Sequence, residues 1–230
     1  MHEVQTQEEL FANLTAISKV PELALSACDS NIAFYGNITM VYGEAKLGKS
    51  FTVASAIKDS NALFVDIDNN GLELHEHLIV NKVLPLHGSE ARPFLNMVLQ
   101  HNGDERFIIV IDSFANFADE LGFNINDTRD VTKLFKAIRK ITDKGHAVVL
   151  IHHVTTNGKE RGSEEYSAKI QGNAGAIFGR VDVTYVLEDS GYLAKDRSRI
   201  SNAAENFISA DVYITEKLAR GVNGKIQLPA

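Results

Sequence analysis

The segment from Gly43 to Ser50 contains the residues whose types and spacing best define a chemistry. It has the sequence Gly-Glu-Ala-Lys-Leu-Gly-Lys-Ser and fits the pattern G-x-x-x-x-G-K-[ST] in full. In that pattern the glycines let backbone N–H groups surround a polyphosphate, the lysine reaches the β- and γ-phosphates, and the serine hydroxyl ligates Mg²⁺. We expect Lys49 to lie on an exposed loop, apart from any core. The predicted nucleotide-binding residues are Gly43, Glu44, Ala45, Lys46, Leu47, Gly48, Lys49, Ser50 and Phe51.

A second signal is the aliphatic run from Ile108 to Ile111, which is followed by Asp112. Such a run is typical of a strand that is buried on both faces. In phosphoryl-transfer sites, a carboxylate at the carboxyl end of a strand holds the Mg²⁺ shell. We therefore predict that Ser50 and Asp112 form a magnesium site.

Two further carboxylates, Asp66 and Asp68, follow an apolar run at 62–65. Because side chains alternate along a strand, both lie on the same side, at the sheet edge where the γ-phosphate would sit. One of them can accept a proton from the attacking water. We predict Asp68 as this base because it is closer to the carboxyl end, with Asp66 as the alternative. The competing interpretation is that both carboxylates cap the polar turn at 69–71.

The elements that must position these residues alternate between strand and helix patterns. Strands are predicted at 37–42, 62–67, 83–86, 106–111, 147–151, 181–187, 212–216 and 225–228. Helices are predicted at 7–20, 50–58, from 72 onward, at 89–100 and at 128–143, the last after a polar loop. This order predicts an α/β fold with a mostly parallel, twisted sheet flanked by helices and an antiparallel extension at the C-terminal end.

The composition excludes several classes of protein. With 44% hydrophobic residues in a chain of 230, the protein can bury a core and is not dominated by disorder. The single Cys28 excludes a disulfide scaffold. The apolar runs are too short to span a bilayer and no secretion signal is found, so we expect a cytoplasmic protein without a membrane partner. The net charge of −7 means that any nucleic-acid binding is local.

The order of these motifs resembles the RecA-like ATPase core of recombinases and hexameric replicative helicases. The likeness comprises the phosphate loop, the acid after the next strand, Ile-Ile-Val-Ile-Asp-Ser at 108–113, a strand ending in Ile-His-His at 151–153, and a long loop after it. It covers roughly residues 35 to 228, so we predict an N-terminal helical segment at 1–34 and a RecA-like P-loop NTPase domain at 35–230. The resemblance implies ATP and Mg²⁺ as cofactors.

The resemblance also implies roles for single residues. Asp68 matches the catalytic acid, which is usually Glu in the family, and His153 matches a polar sensor of the γ-phosphate. Lys217 and Arg220, on a predicted terminal hairpin, resemble the basic finger that acts on a neighbour's nucleotide. A homo-oligomeric ring or filament with composite sites follows from that likeness. A metal site at His152 and His153 is the competing interpretation. The other close pair, His75 and His77, is interpreted as part of a solvated helical stretch.

The resemblance finally implies that single-stranded DNA is a partner. The leading function is an ATPase that acts on DNA as a minimal, RepA-type replicative helicase; the alternative is a phage-type recombination or single-strand annealing ATPase. A regulatory ATPase that acts on a protein partner is the third possibility. The segments that match the family's DNA-binding loops are 119–127 and 155–171. A basic stripe on the helix at 128–143 and just beyond it is interpreted as a solvated face, with contact to an acidic neighbour or to DNA as the alternative. It consists of Arg129, Lys133, Lys136, Lys140 and Lys144.

Overall fold

The structure is a computed structural model and describes residues 32–58, 60–68, 74–75, 78, 84–87, 91–101, 103–156, 168–187 and 193–198. Its strands are β1 (Ile38–Gly43), β2 (Ala62–Asp66), β3 (Leu84–His87), β4 (Ile108–Asp112), β5 (Ala147–Thr156), β6 (Ala168–Ile170), β7 (Val183–Leu187) and β8 (Leu193–Ser198). Its helices are α1 (Lys49–Ala56), α2 (Ala91–Gln100), α3 (Phe114–Glu120), α4 (Thr128–Asp143) and α5 (Ala174–Phe178).

The strands form a sheet in the order β3-β2-β4-β5-β1-β7-β8. In the described part of the chain, β3, β2, β4, β5, β1 and β7 are parallel to one another. Two further strands are antiparallel to their partners: β8 to β7, and β6, outside this order, to β5. The phosphate-loop segment connects β1, inside the sheet, to α1. This topology confirms the predicted α/β fold of the RecA-like P-loop NTPase type, including its antiparallel extension. The extension is made by β8, which the sequence analysis did not predict.

Side chains of alternate strand residues pack into two cores, one on each face of the sheet. Ile109 and Ile111 of β4 join the core under α2, α3 and α4, whereas Ile108 and Val110 join the core under α1. Both sets are fully buried. Because neither face of β4 meets water, its sequence is a continuous apolar run rather than an alternating one. The core under α1 also contains the chain at 32–34, just before β1.

Helix α4 shows why the strongest helical prediction succeeded. Asp127 caps its N-terminus by accepting hydrogen bonds from the backbone of Arg129 and Asp130, at 2.7 and 3.0 Å. Arg139 fastens the helix to β7, since its guanidinium donates to both carboxylate oxygens of Asp182, at 2.7 and 3.2 Å. Asp182 also accepts from the backbone N–H of Ile38, at 2.8 Å. The helix thereby helps to fix the start of β1, the strand that leads into the phosphate loop.

Lys144 is not solvated as the prediction of a basic stripe expected. Its ammonium group donates hydrogen bonds to the carbonyls of Leu99 and His101, the latter at 2.8 Å. These carbonyls belong to the C-terminal end of α2, where acceptors lack partners within the helix and a positive charge is favourable. Lys144 is therefore a structural cap of a neighbouring helix. Arg129, Lys133 and Lys136 are exposed, as predicted.

The prediction of a polar loop after β4 was wrong over Phe114–Glu120, which forms α3. Ser113 caps this helix by accepting from the backbone N–H of Asn116 at 3.5 Å. Phe114, Phe117 and Ala118 lie at helical spacing and are fully buried. Seven residues are too few for a helical pattern to be recognised in the sequence. A helix this short is stabilised by its burial against the sheet rather than by its intrinsic propensity. The first candidate DNA segment is shortened to 121–127.

The second candidate DNA segment begins and ends in paired strands. Thr156 and Ala168 are opposite each other at the end of the antiparallel β5–β6 pair. The two ends of the segment 155–171 are therefore paired strands, and residues 157–167 connect them.

Several predictions lie outside the described residues. These are the strands at 212–216 and 225–228, the helix at 7–20, and the positions of Lys217 and Arg220. Across the ranges given above, no helix is long and apolar enough to cross a membrane.

Candidate nucleotide site

The strand register brings four separated segments to one edge of the sheet. Asp66 of β2 is opposite Asp112 of β4, and Asp112 is opposite Ile151 of β5. Two residues further along β5, His153 is opposite Gly43 of β1. Parallel strands place all their carboxyl ends on the same edge. The phosphate loop, the candidate metal ligand, the candidate base and the sensor histidine are therefore neighbours.

The two glycines of the phosphate loop are required by its backbone. Gly48 has a φ of 86° and stands at the N-cap of α1, a conformation that side chains disfavour. A Cβ on Gly43 would come within 2.8 Å of the Leu187 carbonyl oxygen on β7. The N-cap of α1 makes no side-chain hydrogen bond. The first N–H groups of this helix can therefore bind an anion, as helix N-termini do.

Lys49 is buried, contrary to the expectation of an exposed loop lysine. Only 4% of the residue is exposed, and its ammonium group donates to the Glu44 carbonyl at 2.7 Å. Burial lowers the pKa of Lys49, and the nearby carboxylates of Asp112, Asp68 and Glu44 oppose that shift. A buried cation bound to a loop carbonyl can exchange that neutral acceptor for a phosphate oxygen, which is the stronger partner.

Ser50 and Asp112 are in direct contact, as the predicted magnesium site requires. The Ser50 hydroxyl donates to one carboxylate oxygen of Asp112, which is 1% exposed. Burial raises the pKa of Asp112 to about 7, and the charges of Asp68 and Asp66 add to the shift. A divalent cation would offset this concentration of negative charge. The hydroxyl and the carboxylate therefore fit Mg²⁺, which polarises phosphate oxygens when bound.

The described side chains do not form a complete set of protein ligands around a metal ion. In the described ranges, no group of three or more His, Cys, Asp or Glu residues is placed to hold a metal ion. Mg²⁺ commonly takes one or two protein oxygens and completes its shell with phosphates and water. The alternative metal site at His152 and His153 is not supported, because His152 is fully buried and its Nε2 pairs with the Gln171 carbonyl at 2.8 Å.

Asp68 accepts hydrogen bonds from three side chains. Its Oδ1 accepts from the Ser113 hydroxyl at 2.9 Å and from the Asn116 amide, and its Oδ2 accepts from His153 Nε2 at 3.0 Å. The hydrogen bond from His153 is the largest cause of a lowered pKa of Asp68, with Ser113 and Asn116 acting in the same direction against burial. A carboxylate offers about four acceptor positions. Among the described residues, the remaining position, on Oδ2, has no donor.

Asp66 lies in a different environment from Asp68. It is fully buried, and its Oδ2 is 3.2 Å from His75 Nε2. His75 is 16% exposed at its side chain, so it is not part of a solvated stretch as expected; His77 lies outside the described residues. Asp68, at 17%, is the more accessible carboxylate. This geometry favours Asp68 over Asp66 as the group that contacts water.

His153 joins the site to the β5–β6 hairpin. Its backbone carbonyl accepts from the Gln171 N–H at 3.0 Å, and the next residues, through Asn173, bond to the start of α4. Asn173 N–H donates to the Ile125 carbonyl at 2.9 Å and its side-chain amide donates to Thr128 Oγ1 at 2.8 Å. The chain just after the second candidate DNA segment therefore contacts the end of the first.

Ser113 and Asn116 are site residues that the sequence analysis missed. Ser113 directly follows Asp112, the candidate metal ligand of β4, and Asn116 lies three residues further on. The signal that could have found them is the capping pattern at the start of α3, which places a serine and an amide on one side of the first helical turn. The contact with Asp68, 45 and 48 residues away, depends on the sheet order and could not have been read from that pattern.

Comparisons with known proteins add a distant similarity. No protein-family model matches the sequence, and no curated protein matches it. One similar solved structure is a prototypical ATPase from the type III secretion system of pathogenic bacteria. The similarity has 12% identity and a TM-score of 0.48, and covers 87% of this chain and 70% of the other. The assignment of a P-loop NTPase core rests on the strand order and the loop geometry of the chain itself.

Proposed function

We propose that the protein is a Mg²⁺-dependent ATPase. The observation that carries this proposal is the contact between the Ser50 hydroxyl and the buried Asp112 carboxylate, beside the buried ammonium group of Lys49. A cation, a hydroxyl and a carboxylate around a glycine-rich loop form the arrangement that binds a Mg²⁺–polyphosphate complex. The loop backbone and the N-terminus of α1 bind the phosphates, and Lys49 leaves the Glu44 carbonyl to pair with them.

Asp68 then orients the attacking water. Its lowered pKa makes it a weak proton acceptor, whereas an efficient general base has a pKa near the working pH. Its remaining acceptor position on Oδ2 can take a hydrogen bond from water, while Ser113, Asn116 and His153 hold the carboxylate in place. Phosphoryl transfer depends mainly on positioning and electrostatic stabilisation, so an oriented water is sufficient.

The test of this proposal measures ATP binding and hydrolysis separately. We expect hydrolysis that requires Mg²⁺, and we expect Ser50→Ala and Asp112→Asn to raise the Mg²⁺ concentration needed for it. Arg129→Gln is the matched control, because Arg129 is exposed on α4. Nucleotide hydrolysis that is the same in EDTA, or that survives both substitutions, would contradict the proposed site.

The finer proposal is that this ATPase works on single-stranded DNA as an oligomeric motor, most like a minimal replicative helicase. A ring or filament would bring Lys217 or Arg220 of one subunit to the nucleotide of the next. The order of motifs supports it, as does the chain of contacts from Asp68 through His153 to the candidate DNA segments. The alternative, a recombination or annealing ATPase, shares all of these features.

Two measurements separate these roles. Strand displacement on a forked duplex with ATP identifies a helicase, and accelerated pairing of complementary single strands identifies an annealing protein. ATPase activity per subunit should rise with protein concentration, and mixing Arg220→Ala with Lys49→Ala subunits should restore part of the lost activity. Activity that is independent of concentration, without restoration, would leave the regulatory ATPase as the better description.

A further inference from the structure

Asp66 carries a buried polar atom that the nucleotide site does not yet explain. The residue is fully buried, and its Oδ2 is paired with His75 Nε2 at 3.2 Å. Its Oδ1 is also buried and has no hydrogen-bond partner among the described residues. A buried carboxylate oxygen without a partner costs free energy, so its persistence calls for a ligand or a water that satisfies it.

The position of Asp66 indicates which ligand this is. Asp66 and Asp112 are opposite each other on the parallel pair β2–β4, and residues in register on neighbouring strands place their side chains on the same face. Both side chains are therefore adjacent at the sheet edge that holds the phosphate loop. Asp112 is the carboxylate that Ser50 contacts, so the unsatisfied oxygen of Asp66 lies beside the candidate magnesium site.

Mg²⁺ keeps several of its water molecules when it binds to protein and phosphate. Each such water has two protons to donate and needs an acceptor. We propose that Asp66 accepts a hydrogen bond from a Mg²⁺-bound water through Oδ1, with His75 holding the carboxylate through Oδ2. This inference rests on the proposed function and adds to it a carboxylate–histidine pair that sets the affinity for the metal without touching the phosphates.

A direct metal bond from Asp66 would be a different arrangement. That arrangement would make Asp66 a ligand beside Ser50 and Asp112; in the described ranges, Asp66 belongs to no group of three or more His, Cys, Asp or Glu residues placed to hold a metal ion. An acceptor to metal-bound water needs only one correctly placed oxygen. Partners of this kind orient the metal shell, and their loss lowers metal affinity by about 10–100-fold in known sites.

The experiment measures ADP binding by isothermal titration calorimetry at a series of free Mg²⁺ concentrations, and in EDTA. We expect Asp66→Asn to raise the Mg²⁺ concentration that gives half of the maximal increase in ADP affinity by about 10-fold or more. The ADP affinity in EDTA should be unchanged. His75→Ala should shift this Mg²⁺ concentration in the same direction by a smaller factor, and this variant also serves if Asp66→Asn does not fold. Asp143→Asn is the matched control, because Asp143 is an exposed carboxylate at the C-terminal end of α4 and its loss should leave the Mg²⁺ dependence unchanged.

Each outcome has a defined meaning. A purely structural role for Asp66 would weaken ADP binding equally with and without Mg²⁺, and that result would overturn the inference. The inference would also be overturned if both single variants, Asp66→Asn and His75→Ala, kept the Mg²⁺ dependence of the unsubstituted protein. If Asp66→Asn does not fold, an unchanged Mg²⁺ dependence of His75→Ala alone would overturn it. If the unsubstituted protein shows no effect of Mg²⁺ on ADP binding, the proposed function fails instead, which keeps the two failures distinguishable.

Discussion

Replacement of Asp68 by asparagine tests the proposed mechanism most directly. Asp68→Asn keeps the size and shape of the side chain but removes its charge and turns one acceptor oxygen into a donor group. The native carboxylate accepts from Ser113, Asn116 and His153. An amide can satisfy the donors on one side only, so the other side would place two donors against each other.

The expected loss follows from these contacts. The amide cannot both keep the hydrogen bonds and accept one from water in the native geometry. We expect kcat to fall by about 10²-fold, the usual cost of misplacing a reacting group by about 1 Å, which corresponds to about 3 kcal/mol in the barrier. ATP affinity should be unchanged or higher, because removal of a negative charge near Lys49 reduces repulsion of the phosphates.

The assay is steady-state ATP hydrolysis with saturating Mg²⁺, combined with calorimetric measurement of ATP binding. Asp130→Asn on α4 is the control, since it removes a partly exposed carboxylate that pairs with Lys133 at 3.6 Å. Hydrolysis by Asp68→Asn at the unsubstituted rate would refute the assignment. A fall in kcat for Asp66→Asn at saturating Mg²⁺, with Asp68→Asn normal, would show that the other carboxylate orients the water.

Three further predictions follow from the site and the core. Lys49→Ala should abolish measurable ATP binding in calorimetry, and loss of its buried stem should also lower the unfolding midpoint, unlike loss of an exposed side chain. Because the pKa of Asp112 is raised to about 7 and Mg²⁺ needs the ionised form, kcat/KM should fall as pH decreases below about 7, whereas kcat, measured with metal bound, should change much less. Burial lowers the pKa of His152 to about 4, below its value near 6.5 in the unfolded chain, so its contribution to stability is present above pH 6.5 and is lost as the pH falls. The loss amounts to about 2 kcal/mol at pH 5, so between pH 7.5 and pH 5 the free energy of unfolding in urea should fall by about that much more for the protein than for His152→Phe.

The parts of the site that sequence alone could predict all lie at strand ends. The phosphate-loop pattern and Asp112 after an aliphatic run are each visible locally, whereas His153 was assigned from the resemblance to a known family. A parallel sheet then brings them together without further information, because every carboxyl end reaches the same edge. The fold class was predictable for the same reason, since long periodic helices and buried strands carry strong local signals.

The parts that could not be predicted depend on tertiary contacts. Helix α3 and strand β6 are short, and β8 has the mostly polar sequence Leu-Ala-Lys-Asp-Arg-Ser. Each is stabilised by packing or by pairing with another element. Burial of Lys49 depends on how the loop folds back over its own side chain, as the contact with the Glu44 carbonyl shows. Capping of α2 by Lys144 joins residues more than forty positions apart. Local patterns contain no information on such contacts.

The choice between Asp66 and Asp68 illustrates this limit most clearly. Alternation along a strand treats the two residues as equivalent, but β2 ends at Asp66, and beyond it the chain bends over the end of β4, where the Asp68 N–H donates to the Asp112 carbonyl at 3.2 Å. Asp66 therefore keeps a strand position, buried in register with Asp112, while Asp68 turns toward Ser113 and His153. One carboxylate is placed where it can act on the metal shell and the other where it can act on water. Two residues of the same type, two positions apart, have different surroundings and different proposed roles because the strand ends between them.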